Sequence, residues 1–134
     1  VNGENMKRTV AEELNRADDA LKAADLLFTN DLLSDAVSKL YYFLLYHIRA
    51  LLLTKDYEPR SHEGALRLFG LHFVKENTFS TDAFHTFSKM MKYREEADYN
   101  PMYQFTKKDF VEFRAEVVSV SEQVKKYLSE GGSD

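Results

Sequence analysis

The chain has 134 residues, of which 44% are hydrophobic and 30% charged, with 5 Gly, 2 Pro and no Cys. That length fits one domain; so few turn residues exclude an all-β architecture, and the missing thiols exclude disulfides, thiolate nucleophiles and Cys-ligated zinc or iron–sulfur sites. A net charge of −4 excludes a wholly basic surface of the kind many phosphate-binding proteins carry.

No apolar run reaches the roughly 18 residues of a membrane span. The longest, Leu40 to Ile48, is already interrupted by His47. Val1 to Asn5 lack the basic and apolar regions of a secretory leader. A cytoplasmic protein without membrane contact is therefore expected. Its single domain is expected over residues 6–128, flanked by flexible termini at 1–5 and 129–134.

Five helices are predicted, in an antiparallel up-down bundle. The first runs from about Met6 to Phe28. Val10, Leu14, Ala17, Leu21, Ala24 and Phe28 step by 4, 3, 4, 3, 4 and form its seam, leaving Glu12, Glu13, Arg16, Asp19 and Lys22 on a solvated face. Asn30-Asp31 closes it and offers a cap to the second helix, about Asp31 to Lys55. There Leu33, Val37, Leu40, Leu44, His47 and Leu51 form one stripe, and Leu32, Ala36, Phe43, Ala50 and Leu53 widen it. A helix apolar on most sides is central, or turns part of that breadth to a second copy of the chain.

Pro59 marks a break, after which Ser61 caps a third helix to about Glu76, with Leu66, Phe69, Leu71 and Phe73 inward. Gly64 and Gly70 within it imply close packing against a neighbour or a tight first turn. Ser80 caps the fourth helix, which runs to about Ala97 and ends before Asn100-Pro101. Met102-Tyr103-Gln104-Phe105 is aromatic for a connector. Thr106 to Asp109 then form a near capping box for the fifth helix, whose seam is Phe110, Phe113, Val117, Val120, Val124 and Tyr127.

A few residues do not fit a plain bundle. The seam of the fourth helix steps Phe84, Phe87, Met91 and then Arg94. A guanidinium there is paired, drawn to the edge, or bound to an anion. By spacing alone, pairing with Asp98 at i,i+4 is the plainer account; a cleft arginine aimed at phosphate is the sharper one. His47 lies on an apolar stripe, where a hydrogen-bonded core histidine is the commoner case. Tyr42 and Tyr46 share a face with one another and suit core or interface packing. Arg60, Ser61, His62 and Gly64 open a helix, where an ordinary cap is commoner than an anion site. Histidine spacing shows no metal-binding pattern, and no phosphate-loop or serine-nucleophile pattern is present. Lys89, Lys92, Lys107 and Lys108 would give a positive rim to a cleft near Arg94 if the fourth and fifth helices flank it.

Leu40 to Leu52 (LYYFLLYHIRALL), Pro59 to Gly64 (PRSHEG), Leu68-Phe69-Gly70 and Arg94 to Tyr99 (REEADY) together resemble the HEPN superfamily, the higher eukaryotes and prokaryotes nucleotide-binding domain, in its small prokaryotic branch. The resemblance spans about Met6 to Leu128. It implies a bundle of four to five helices, usually a homodimer, that binds nucleotide or RNA. It also implies pairing with a minimal nucleotidyltransferase in a toxin–antitoxin-type module. Many members are metal-independent endoribonucleases carrying Arg, four to six residues, then His, in a cleft at the dimer interface; no cofactor is implied. Arg94 matches the arginine of that motif, but Tyr99 stands where the histidine is due, and no histidine follows Arg94. The candidate set is accordingly Arg94, Tyr99 and His62 for catalysis; Arg94, Asp98, Tyr99, Arg60 and His62 for phosphate; and Tyr42, Tyr46 and His47 for a dimer interface. Tyr99 is in addition a residue that a nucleotidyltransferase partner could modify. A non-catalytic interaction domain, with Arg94–Asp98 as an internal ion pair, is the remaining alternative.

Overall fold

A computed structural model describes residues 8–132 of the chain. The expected flexible N-terminus and the last two residues lie outside that range. The described residues form five α-helices, in the order α1 (Val10–Thr29), α2 (Leu33–Leu53), α3 (His62–Phe69), α4 (Thr81–Tyr99) and α5 (Lys107–Tyr127). No strand occurs among the described residues, and the helical bundle is as expected.

The first helix starts later than its periodicity suggested, because Thr9 is its N-cap. The Thr9 hydroxyl accepts the Glu12 N–H at 3.1 Å while the Glu12 carboxylate accepts the Thr9 N–H at 2.8 Å. This reciprocal box satisfies two donors that a bare helix end leaves open. The buried line of α1 is Glu13, Ala17, Ala20 and Ala24, rotated from the predicted seam. Three alanines let α1 lie close against α2. Glu13, expected on the solvated face, is only 1% exposed. Its carboxylate sits beside Arg16 at 3.3 Å and Arg8 at 3.5 Å, which offset the cost of burying it.

Asn30 to Leu32 fold the chain back, so α1 and α2 run antiparallel. Asp31 takes a left-handed φ of 61° and turns the chain rather than capping α2, whose N-cap is Leu32 with no side-chain bond. α2 is the axis of the molecule and packs on α1, α3, α4 and α5. By length and hydropathy α2 qualifies as a membrane helix, but 72% of that window is buried inside the bundle. Its apolar breadth therefore serves the chain's own core.

Ser61 caps α3 by accepting the Gly64 N–H at 2.9 Å, and the helix runs on into a wider turn over Gly70–Val74. Both glycines are explained by close approach. A Cβ on Gly64 would stand 2.9 Å from Ser61 Oγ, and one on Gly70 would stand 2.8 Å from the Phe84 ring. Leu71, expected inward, is exposed, because the wider turn rotates it outward. Ser80 caps α4, and α5 carries the expected box between Thr106 and Asp109. The aromatic connector is structural in part: Phe105 is buried edge-on to Tyr93 and Phe113. Beyond α5, Leu128–Gly132 form one more wide turn, in which Gly131 has a φ of 86°.

Candidate phosphate-binding site

Arg94 lies on the last turns of α4, facing α2 and the start of α3. Its side chain is 11% exposed. Nη2 donates to His62 Nδ1 at 3.1 Å, and Nη1 reaches Asp98 Oδ2 at 3.5 Å. The guanidinium lies 5.5 Å from the ring centroid of Tyr41 and 5.8 Å from that of Tyr99. His62 packs in turn against Tyr41 at 5.5 Å and edge-on to Tyr42 at 6.1 Å. Three helices thus bring Arg94, His62, Asp98, Tyr99, Tyr41 and Tyr42 into one recess. The pairing with Asp98 that spacing favoured is present, but it is the longer of the two contacts.

Electrostatics follow from these neighbours. Arginine has no acceptor, so His62 must receive the Arg94 hydrogen bond on Nδ1 and carry its own proton on Nε2. Burial, then the charges of Arg94 and Arg49, hold His62 below its ordinary value of 6.5; Glu63 and Glu95 oppose this. His62 is therefore a neutral imidazole at neutral pH. Burial pushes the Tyr41 phenol far up against the pull of Arg94 and Arg49, so it stays neutral too. Two polar atoms at this site, Arg94 Nε and the Tyr41 hydroxyl, are buried with no hydrogen-bond partner. An unsatisfied buried donor on a permanently charged group marks a place for an acceptor.

Other candidates fall elsewhere. Arg60 is exposed and makes no ion pair or hydrogen bond among the described residues. Tyr42 and Tyr46 are half-buried, their rings 6.0 Å apart, and Tyr46 accepts from Arg16 Nη2 at 3.1 Å. His47 does not join them at the surface, as a dimer-interface candidate should. It is fully buried, with Nδ1 donating to the Phe43 carbonyl at 2.9 Å. The positive rim is not built from the expected lysines either. Lys89 and Lys92 stand five and two residues before Arg94, which at about 100° per residue puts them on the opposite side of α4. Lys89 pairs there with Glu116, while Lys107 pairs with Asp31 at 3.1 Å.

Sequence reasoning noted Tyr41 with Tyr42 and Tyr46 as crowding one helix but did not place it at the Arg94 site, and it missed Arg49, which follows Tyr42 by seven residues, two helical turns along one face.

Comparisons with known proteins agree with this architecture. The HEPN domain family matches residues 10–127. Two proteins of Methanocaldococcus jannaschii, each named "Putative toxin", are 32% and 36% identical over 103 and 98 residues. These alignments cover 77% and 70% of this chain, and 70% and 73% of the relatives. A UPF0332 protein of Thermotoga maritima is 28% identical over 115 residues, covering 86% of this chain and 87% of its own. A match over nearly the whole helical bundle leaves one conclusion: the chain belongs to the HEPN-domain family.

Proposed function

We propose that this protein is a toxin-type HEPN protein that binds the phosphate of RNA or of a nucleotide at Arg94. The observation that carries this reading is the Arg94–His62 contact, in which a nearly buried guanidinium keeps one unsatisfied N–H and only a long ion pair. A phosphate oxygen satisfies that donor, and the planar fork suits phosphate better than a point charge does. The toxin names of two relatives support the same class. As in the resemblance, the working unit is a homodimer whose rim includes Tyr42 and Tyr46, paired with a minimal nucleotidyltransferase. Tyr99, 75% exposed and beside Arg94, is the accessible target for nucleotidyl transfer by that partner.

A second reading, metal-independent RNA cleavage, is favoured by His62. It supplies the histidine that the α4 motif lacks. When Arg94 turns onto a phosphate, His62 Nδ1 is freed to take the proton of the ribose 2′-hydroxyl. The 2′-oxygen then bonds to phosphorus, the bond to the 5′-oxygen breaks, and His62 returns its proton to that leaving oxygen. Arg94 stabilises the added charge on phosphorus.

Titration calorimetry with short RNA and with nucleotides tests binding, with wild type beside Arg94→Ala. The expected result is a loss of about tenfold or more in the variant, about 1.4 kcal/mol or more. No binding by wild type, or equal binding by both, overturns the proposal. A cleavage assay in chelator tests the second reading: His62→Ala should still bind RNA but leave it intact. Intact RNA with wild-type protein, where a control nuclease cuts, removes cleavage and leaves binding to stand on its own test.

A further inference from the structure

Packing alone does not explain Tyr41. It lies on α2, the axis of the bundle, and is fully buried. Four neighbours hold its ring. It lies flat against Phe87 at 6.0 Å, edge-on to Tyr42 at 5.2 Å and tilted on His62 at 5.5 Å, with the Arg94 guanidinium 5.5 Å from its centroid. A phenylalanine ring would make all four of these contacts. The hydroxyl adds nothing to them and is buried with no hydrogen-bond partner. That burial costs free energy which a phenylalanine would not lose.

The hydroxyl shares its surroundings with the Arg94 recess. Arg94 is the strongest charge acting on it, and Arg49 and Glu63 act on it too; the same three side chains act on the His62 imidazole. Hydroxyl and imidazole therefore face one space. Burial keeps the phenol protonated far above neutral pH, so Oη always has a proton to give. Arg94 brings a second orphan to that space. Its Nη2 is spent on His62 and its Nη1 leans to Asp98, whereas Nε is buried with no partner. Two donors from two helices, α2 and α4, thus stand inside the protein without an acceptor, which is how a preformed anion seat is built.

We infer that Tyr41 is a specificity-determining residue of this recess: its hydroxyl donates to one oxygen of the bound phosphate while Arg94 Nε donates to another. The inference rests on the phosphate reading of the recess and adds to it a residue and a selectivity. An anion held in this way needs two oxygens, apart in space and free of substituents. A phosphate diester offers that pair in its two non-bridging oxygens. Sulfur is a weaker acceptor than oxygen. A phosphorothioate, with sulfur in place of one non-bridging oxygen, therefore reports which oxygen meets Tyr41.

The test is titration calorimetry of the full chain with a dinucleoside monophosphate whose 2′-oxygen is methylated, so that binding to a single phosphate is read without cleavage. Tyr41→Phe should bind it about tenfold more weakly than wild type does. The same variant should unfold in denaturant at an equal or higher midpoint, because it no longer buries an unpaired hydroxyl. One of the two phosphorothioate diastereomers should bind wild type about threefold or more weakly than the parent does. Tyr41→Phe should bind that diastereomer and the parent alike, a coupling that a purely structural ring would not show. Equal binding of the parent by wild type and Tyr41→Phe, where Arg94→Ala has lost it, overturns this inference and leaves Arg94 as the binding residue. A lowered midpoint in Tyr41→Phe shows the hydroxyl to be bonded within the free protein, and overturns it as well. Undiminished sulfur discrimination in Tyr41→Phe does the same. No binding of any of these ligands by wild type overturns the phosphate reading and this inference with it.

Discussion

His62 and His47 are two histidines that burial treats alike and the chain uses differently. Burial lowers the proton affinity of both below 6.5. For His47 the Phe43 carbonyl opposes the shift, and Nε2 is left buried with no partner. Protonating it places a charge in the core with nothing to receive its second N–H. The sign follows from proton counting: below 6.5 the unfolded chain binds protons that the native state refuses, so stability is full above 6.5 and falls as the solution is acidified. Thermal unfolding between pH 7.5 and 5.5 should show this decline, and His47→Leu should flatten part of the slope. An equal slope in that variant would assign the effect to His62 and the carboxylates instead. In the proposed cleavage reaction the same shift at His62 would set a rate. If His62 accepts the 2′-hydroxyl proton, the acid limb of the cleavage profile has its midpoint below 6.5, and activity is flat through neutral pH. A midpoint near 10 would transfer that role to a tyrosine.

Helix ends and helix contacts decide the elements. Thr106 and Asp109 close the start of α5 by accepting from one another's N–H, at 3.0 and 2.9 Å. Thr106→Ala should cost about 1 kcal/mol in chemical denaturation, with the slope against denaturant unchanged. Gly70 is a packing device rather than a turn. Its φ of −60° is helical, so Gly70→Ala gains helix propensity of about 1 kcal/mol. The new methyl meets the Phe84 ring at 2.8 Å, and crowding of this kind costs about 1–3 kcal/mol. Net destabilisation is expected, relieved when Phe84→Leu is added; a double-mutant cycle reads that coupling. These elements were legible in advance because caps and periodicity are local: Ser61, Ser80 and the Thr106 box all sit where residue type placed them. Two things were not legible. The face of α1 that turns inward depends on how near α2 can come, so the three alanines decided against the larger Leu14 and Leu21, and drew Glu13 in with them. His62 and Arg94 are 32 residues apart, and no spacing rule links the first turn of α3 to the last turns of α4. The motif arginine was readable within its helix; its partner became visible only once three helices were packed.

On the scale of the molecule, Arg94 and His62 come from one chain, whereas the proposed dimer contact is set at the Tyr42–Tyr46 rim. That division makes the proposed homodimer testable without confusion with binding. Tyr46 is half-buried at the α1–α2 rim, its ring under the Arg16 guanidinium at 4.2 Å and its hydroxyl accepting from Arg16. Tyr46→Glu places a carboxylate where Arg16 can still pair with it, so the fold is retained while a like charge is set against its own copy across a two-fold contact. Light scattering of wild type at micromolar concentration should give twice the 15.6 kDa chain mass, and the variant a single chain mass with unchanged helical circular dichroism. A monomeric wild type, or a dimer in both, removes Tyr46 from any interface. Because the phosphate recess is assembled within one chain, the monomeric variant should keep its RNA affinity per chain within about twofold. A collapse of affinity on dissociation would instead place part of the binding surface on the second copy.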